Sequence, residues 1–210
     1  MRAAVFGLAE HYDAASSYGD SSKEVYSYAK YDAMLTHGHA MAASASIALA
    51  QLIYEIVQRN PVRCELLQDV LPMHGDSEVT VLLKKAIHLA EDSTVSDLDG
   101  VHALGEGWIA EEALAIALFC AVRYQNDFAK AIRTAVNHKG DSDSTGAICG
   151  YILGAWLGKE AVEQAFDLDN LELKDVIEEI AEDLYYAIEV NKGYLIPAGE
   201  DAQWDKKYRR

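Results

Sequence analysis

GEGWIAEEALAIALFCAVRY, residues 105–124, is the stretch whose reading decides the fold class. Its apolar run from Ala113 to Val122 is longer than an ordinary strand and is rich in alanine and leucine, so it reads as a helix. A helix that is apolar on every side is a core element, and other helices must surround it. The 210 residues are 50% hydrophobic, which is enough to bury one core and rarely enough for two. Prolines are confined to Pro61, Pro72 and Pro197. The expectation is a single all-α domain, a compact multi-helix bundle of about eight helices over residues 1–190 with a C-terminal tail, 191–210.

Working outward, a polar linker, AASSYGDSS, precedes a helix over residues 23–35, on which Val25, Tyr28, Ala29 and Leu35 are expected to share one side. It breaks at Thr36-His37-Gly38-His39. Residues 40–59 form an alanine-rich helix stopped by Asn60-Pro61, because the residue before a proline leaves the helical region. Residues 40–57 are the longest apolar stretch but include Ser44, Ser46, Gln51 and Glu55, which suits a buried core helix better than a membrane span. Further helices are predicted over 62–70, 79–91 and 127–137, with a polar connector at 92–99. A last amphipathic helix over 174–190 has Val176, Ile177, Ile180, Ala181, Leu184 and Ile188 on a side expected to pack on the body.

Downstream of the central helix, DSDSTGAICGYILGAWLG places Gly146, Gly150, Gly154 and Gly158 four residues apart. Each glycine inside a helix costs about 1 kcal/mol relative to alanine, so a glycine face implies close approach of another helix. The membrane-dimer reading of such spacing fails because Lys159-Glu160 follow at once.

The formal charge of −16 argues against nucleic-acid binding, which needs clustered Lys and Arg. The basic residues Lys206, Lys207, Arg209 and Arg210 read as a frayed, solvated terminus. Three cysteines, Cys64, Cys120 and Cys149, lack metal spacing, and the last two sit among apolar neighbours as small hydrophobes, which fits a reducing, cytoplasmic setting. The opening residues, MRAAVFGLAEHYD, do not read as a secretory signal.

The chemistry concentrates in Gly140-Asp141-Ser142-Asp143-Ser144-Thr145-Gly146. Carboxylates one residue apart, with hydroxyls beside them, form an all-oxygen set suited to magnesium, calcium or manganese rather than zinc. Taken in isolation, an Asp-x-Asp-Ser sequence is more often an acidic helix cap. A calcium loop is excluded at its twelfth place, where Ile152 stands instead of a bidentate glutamate.

AVNHKGDSDSTGAICGYILGAWLG resembles the signature near the end of ADP-ribosylglycohydrolases, and other stretches match that family in the same order. MRAA followed by GL is similar to the segment after the family's glycine-rich loop, and LTHGHAMAASASIALA to its Leu-Thr-His segment. GEGWIAEEALAIALFCAVR resembles the helix before the metal loop, and KDVIEEIAEDLY the closing helix. The resemblance implies an all-α fold, two magnesium ions (manganese being possible) and hydrolysis of the glycosidic bond joining ADP-ribose to an acceptor. It carries over Asp141, Asp143 and Ser144 as metal ligands, Ser144 standing where many relatives have threonine, with Thr145 an adjacent alternative. It also places His37 against bound ADP-ribose, and Gly107 with Trp108 along its pocket. Read alone, His37 is equally a hydrogen-bonded turn histidine and Trp108 a core aromatic.

Val5 and Tyr151 depart from the family pattern without touching a ligand. The family's N-terminal Thr-Asp-Asp-Thr motif, which supplies the remaining ligands, has no counterpart here. His74-Gly75-Asp76-Ser77-Glu78 and Glu91-Asp92-Ser93-Thr94 lack its paired aspartates. The resemblance aligns Met1 with an internal methionine. The expectation is therefore half of a metal site, feeble or absent activity in the isolated chain, and exposed apolar surface that invites a homo-oligomer or a separately encoded N-terminal partner. The alternative is a non-catalytic helical remnant that binds an ADP-ribose-like ligand or a protein. The expected substrate is an ADP-ribosylated protein or ADP-ribose conjugate, with no nucleic acid and no membrane.

Overall fold

A computed structural model describes residues 1–9, 22–59, 77–187 and 201–208. Among these residues there are eleven helices and no strand. The order is α1 (Ala4–Ala9), α2 (Ser22–Thr36), α3 (Ala40–Arg59), α4 (Glu78–Glu91), α5 (Asp97–Leu104), α6 (Ala110–Arg123), α7 (Phe128–Val136), α8 (Ser142–Leu157), α9 (Lys159–Ala165), α10 (Lys174–Tyr185) and α11 (Ala202–Tyr208). The all-α expectation holds. The short helices α1, α5, α9 and α11 add to those expected; α5 begins inside what reads as a connector, where Ser96 caps it by accepting from the Asp99 amide at 3.1 Å. The helix expected over residues 62–70 lies outside the described residues.

The central helix is α6, as its composition demands. Every residue from Ala113 to Val122 is buried, and α6 packs against α3, α4, α5, α7 and α8. Phe119 is wholly buried at its centre, and Gly100 of α5 lies so close that a Cβ there would stand 2.4 Å from the Phe119 ring. At the end of α6, Tyr124 donates to Asp97 at 2.7 Å and Arg123 pairs with the same carboxylate at 3.3 Å, tying α6 to the start of α5. Cys120 and Cys149 are free and buried, and burial pushes the Cys149 thiol up to about 12. They behave as small hydrophobes.

Helix α3 is, among the described residues, the one helix long and apolar enough to cross a membrane, yet 61% of residues 40–57 are buried inside the protein. It is a core helix, packed on α1, α2, α6 and α8. Of the residues grouped on one side of α2, Ala29 is buried, together with Ala33, whereas Tyr28 and Leu35 are 60% and 82% exposed. Small side chains suit the close approach of two helices better than bulky ones, and α2 buries its alanines. Val25 lies outside the residues whose side chains are described.

The glycine series is also corrected. Only Gly146 sits at a close approach, where a Cβ would meet Val136 of α7 at 2.5 Å. A Cβ at Gly150 would make ordinary contact with Ile132, at Gly154 it would meet nothing within 4 Å, and Gly158 is not in the helix face but caps α8 with φ +80°. The contact that needs glycine is local to the first turn of α8.

The amphipathic helix α10 forms, but no residue of it is buried, and Val176, Ile177 and Ile180 are 44%, 52% and 53% exposed. An apolar stripe packs only where another element faces it, and among the described residues none covers this one. Ile188 lies outside the described residues. Of the basic residues expected to fray, Lys206 and Lys207 belong to α11, where Lys207 pairs with Asp183 and with Glu179 of α10, while Arg209 and Arg210 lie outside the described residues.

Candidate metal and substrate site

Asp141 occupies the N-cap position of α8, so Asp143 and Ser144 fall in that helix's first turn, where backbone N–H groups favour negative charge. The cap is irregular (φ −75°, ψ 75°) and makes no regular cap hydrogen bond. The Asp141 carboxyl nonetheless lies below its ordinary range. Hydrogen bonding with the Asp143 carboxyl is the largest cause, followed by the Ser144 hydroxyl and amide and by nearby His138. Asp141 and Ser144 are half-buried and Asp143 is exposed, so all three can meet a solute.

Thr145 is not equivalent to Ser144. It is fully buried, and its hydroxyl donates to the Ala135 carbonyl at 2.6 Å while His138 Nε2 lies 3.0 Å away. His138 Nδ1 accepts from the Gly140 amide at 3.1 Å, which leaves Nε2 as the nitrogen carrying hydrogen and donating to Thr145. The Thr145 hydroxyl therefore ties α8 to the end of α7. Of the two adjacent hydroxyls, Ser144 is the one available to a ligand.

The loop before α6 abuts this segment. Glu106 offers its carbonyl to the Asp141 amide at 2.8 Å, and Gly140 approaches so closely that a Cβ would stand 1.7 Å from that carbonyl oxygen. Gly107, with φ +81°, lies beside it: a Cβ would be 3.0 Å from Thr145 Cγ2 and 3.7 Å from Asp141 Cβ. Gly107 is thus brought against the 140–145 segment. Trp108 is 66% exposed, not a core residue, and its indole N–H donates to the Glu106 carboxylate at 3.1 Å.

Sequence reasoning missed Glu112. It stands third in α6, after an N-cap, Ile109, that has no side chain able to cap. From there its carboxylate reaches back and accepts from the Glu106 and Gly107 amides, each at 3.1 Å. Gly105, at φ +124°, leaves room for it, since a Cβ would come within 2.3 Å of Glu112 Cδ. The available signal was a glutamate at the third helical position behind a Gly-x-Gly, a relative of the capping box.

His37 follows α2 and is exposed. Its Nδ1 lies 2.8 Å from the Thr36 hydroxyl, and Arg2 reaches both Thr36, at 3.3 Å, and the Asp32 carboxylate, at 2.7 Å. Among the described residues no hydrogen bond joins His37 to the 105–108 or 140–145 segments.

The substitute motifs resolve into structural caps. Ser77 accepts from the Thr80 amide at 3.3 Å at the start of α4, and Asp92 accepts from the Thr94 amide at 2.8 Å just beyond its end. His74, Gly75 and Asp76 lie outside the described residues. Among the described residues no three His, Cys, Asp or Glu side chains gather as a metal cluster.

The family model for ADP-ribosylglycohydrolase matches residues 1–193. The chain belongs to the ADP-ribosylglycohydrolase family. Relatives agree: an uncharacterized protein of Archaeoglobus fulgidus is 30% identical over 186 residues, covering 88% of this chain and 56% of its own length. ADP-ribosylhydrolase ARH3 of Mus musculus is 23% identical over 187 residues, covering 75% of this chain and 50% of its own. The human ARH3 is 22% identical over 174 residues, covering 70% and 48%. This ADP-ribosylglycohydrolase chain thus spans about half the length of the curated relatives it matches. No solved structure matches it.

Proposed function

We propose that the chain carries the C-terminal share of a site that hydrolyses the glycosidic bond between ADP-ribose and an acceptor. The observation that supports this reading is the joint at the Glu106 carbonyl and Asp141 amide, which seats Gly107 against Asp141. In this reading the 105–108 loop and the 140–145 loop act as one unit.

The donor set fits a hard divalent cation. Two carboxylates and a hydroxyl supply only oxygen. Asp141, Asp143 and Ser144 would hold magnesium, or manganese. When bound, such an ion supplies Lewis acidity toward sugar oxygens and acidifies a water. The chain's own residues have separate tasks in this reading. Gly107 lets the 105–108 loop approach Thr145 and Asp141 closely, Trp108 offers an exposed aromatic face held by Glu106, and His37 offers an imidazole to the ADP-ribose from the end of α2. Two carboxylates bind magnesium weakly, because that ion gives up its waters reluctantly, so the isolated chain is expected to turn over slowly or not at all.

Magnesium titration by calorimetry tests the cation site: heat that saturates below about 10 mM metal and vanishes in Asp141→Ala supports it, and no heat in the wild-type chain removes it. Hydrolysis of ADP-ribosyl-arginine tests the activity, and turnover that survives Asp141→Ala would refute this mechanism.

A second reading is a non-catalytic module that binds an ADP-ribose-like ligand or another protein. It is favoured by the exposed apolar residues Tyr31 and Leu35 of α2 and Ile177 and Ile180 of α10, which suit pairing with a second copy or a separately encoded partner. Binding of ADP-ribose that persists in Asp141→Ala, without hydrolysis, would favour it.

A further inference from the structure

The segments at 105–108 and 140–145 are joined through backbone atoms, and one side chain governs that joint. Gly105 and Gly107 both have positive φ, which frees the chain to turn but leaves it floppy when unsupported. The loop between them gains its definition from Glu112, whose single oxygen Oε2 accepts two consecutive amides, those of Glu106 and Gly107. Consecutive amides aimed at one carboxylate oxygen form charge-assisted bonds, which are stronger than neutral ones.

The other face of the same peptide group does the second half. With the Gly107 amide held by Glu112, the Glu106 carbonyl of that same peptide group is directed to the Asp141 amide at 2.8 Å. Glu112 itself is anchored by α6, whose residues from Ala113 to Val122 are all buried. The order is therefore rigid helix, carboxylate, loop 105–107, Asp141.

We infer that Glu112 is a positioning residue that sets the Asp141 loop and the Gly107–Trp108 wall against each other, acting through the backbone of Glu106 and Gly107. This rests on the proposed metal and substrate site only for its consequence; the clamp itself can be measured without either ligand. Glu112 binds no ligand in this scheme. Its removal frees the loop to shift, and the cation donors and the pocket wall lose register together.

The experiment is amide hydrogen exchange on the full metal-free chain, for wild type, Glu112→Ala and Glu112→Gln. Glutamine keeps an acceptor oxygen at the same position. In Glu112→Ala the Asp141 amide is expected to exchange at least about tenfold faster, while amides inside α6, such as that of Leu118, keep their protection. In Glu112→Gln the Asp141 amide should stay within about threefold of wild type, the bond being weaker but present. Unchanged Asp141 exchange in Glu112→Ala overturns the proposal. So does equal loss in Glu112→Gln with α6 intact, or acceleration spread evenly through α6. Magnesium titration of the same variants reads the consequence: an affinity loss of about 10- to 100-fold in the alanine variant, largely restored by glutamine. If the wild-type chain takes up no magnesium, the cation reading fails while the exchange result still decides the clamp.

Discussion

The α6–α8 region and the α10–α11 region are both amphipathic or apolar helices, yet they are held by opposite means. In the first, α6 is buried from Ala113 to Val122, and Ile148, Cys149, Ile152 and Leu153 of α8 are buried with it. In the second, no residue of either helix is buried, and the connections are polar: Lys159 to Glu178 at 2.7 Å, Lys207 to Glu179 at 2.6 Å, and Tyr208 to Asp183 at 2.5 Å. Burial holds a backbone to within a fraction of an ångström, whereas exposed ion pairs are worth little and tolerate movement. The candidate site lies on the rigid region, which is where a cation loop must be if its ligands are to keep their spacing.

The largest expected effect comes from opening the rigid region. Phe119→Ala should cost about 3–5 kcal/mol in denaturant unfolding, since it empties the fully buried contact between α5 and α6. An equally stable variant would show that α6 is not the central packing element. Next is the joint between the loops: Gly140→Ala puts a methyl into the Glu106 carbonyl, and about 1–3 kcal/mol of lost stability is expected, with weakened magnesium uptake. Tolerance there would mean that the two loops part easily.

Gly154→Ala should go the other way. Nothing lies within 4 Å of a Cβ at that position, so the substitution is expected to raise the unfolding free energy by up to about 1 kcal/mol through helix propensity. Gly146→Ala, facing Val136 at 2.5 Å, should not share the gain, and the pair of thermal melts separates the two glycines.

The smallest effect concerns the polar region and acid. Asp183 lies below the ordinary carboxylate range because Lys207 and then Tyr208 hydrogen-bond its charged form. A depressed pKa means that its contribution is present above the unfolded-state value and fades as pH falls through the folded one. Lys207 is raised by Asp183 and Glu179, so its contribution is present through neutral pH and fades only under strongly alkaline conditions. The contact of α11 with α10 is therefore expected to loosen below about pH 4 and to be flat around neutrality. Fluorescence of Trp204, which packs at 4.6 Å on Tyr208, reads this. A change near pH 6–7 would point to another group.

Much of the fold was legible because its signals are local. The alanine and leucine run of α6 and the Thr36–His39 break each follow from residues within a turn of one another, and α3, α6 and α8 appear where their composition puts them. α5 was missed because only eight residues, DLDGVHAL, support it, and its first turn is acidic enough to read as a connector. At the candidate site, Asp141, Asp143 and Ser144 stood out as a motif, and Gly107 came only with the family resemblance. The role of Glu112 was not, since its partners are amides, which carry no residue identity.

The amino-acid sequence by itself determined the fold class, the family and the residues able to supply oxygen to a cation, because composition, periodicity and motif order are properties of the chain read along its length. Only the tertiary structure decided that Ser144 is accessible while Thr145 is spent on the Ala135 carbonyl, that Gly146 is crowded while Gly154 is open, and that the stripe of α10 stays exposed. Each of those depends on which distant element arrives at a given side chain. Burial and hydrogen bonding act through space, where neighbours of equal rank in sequence meet different surroundings.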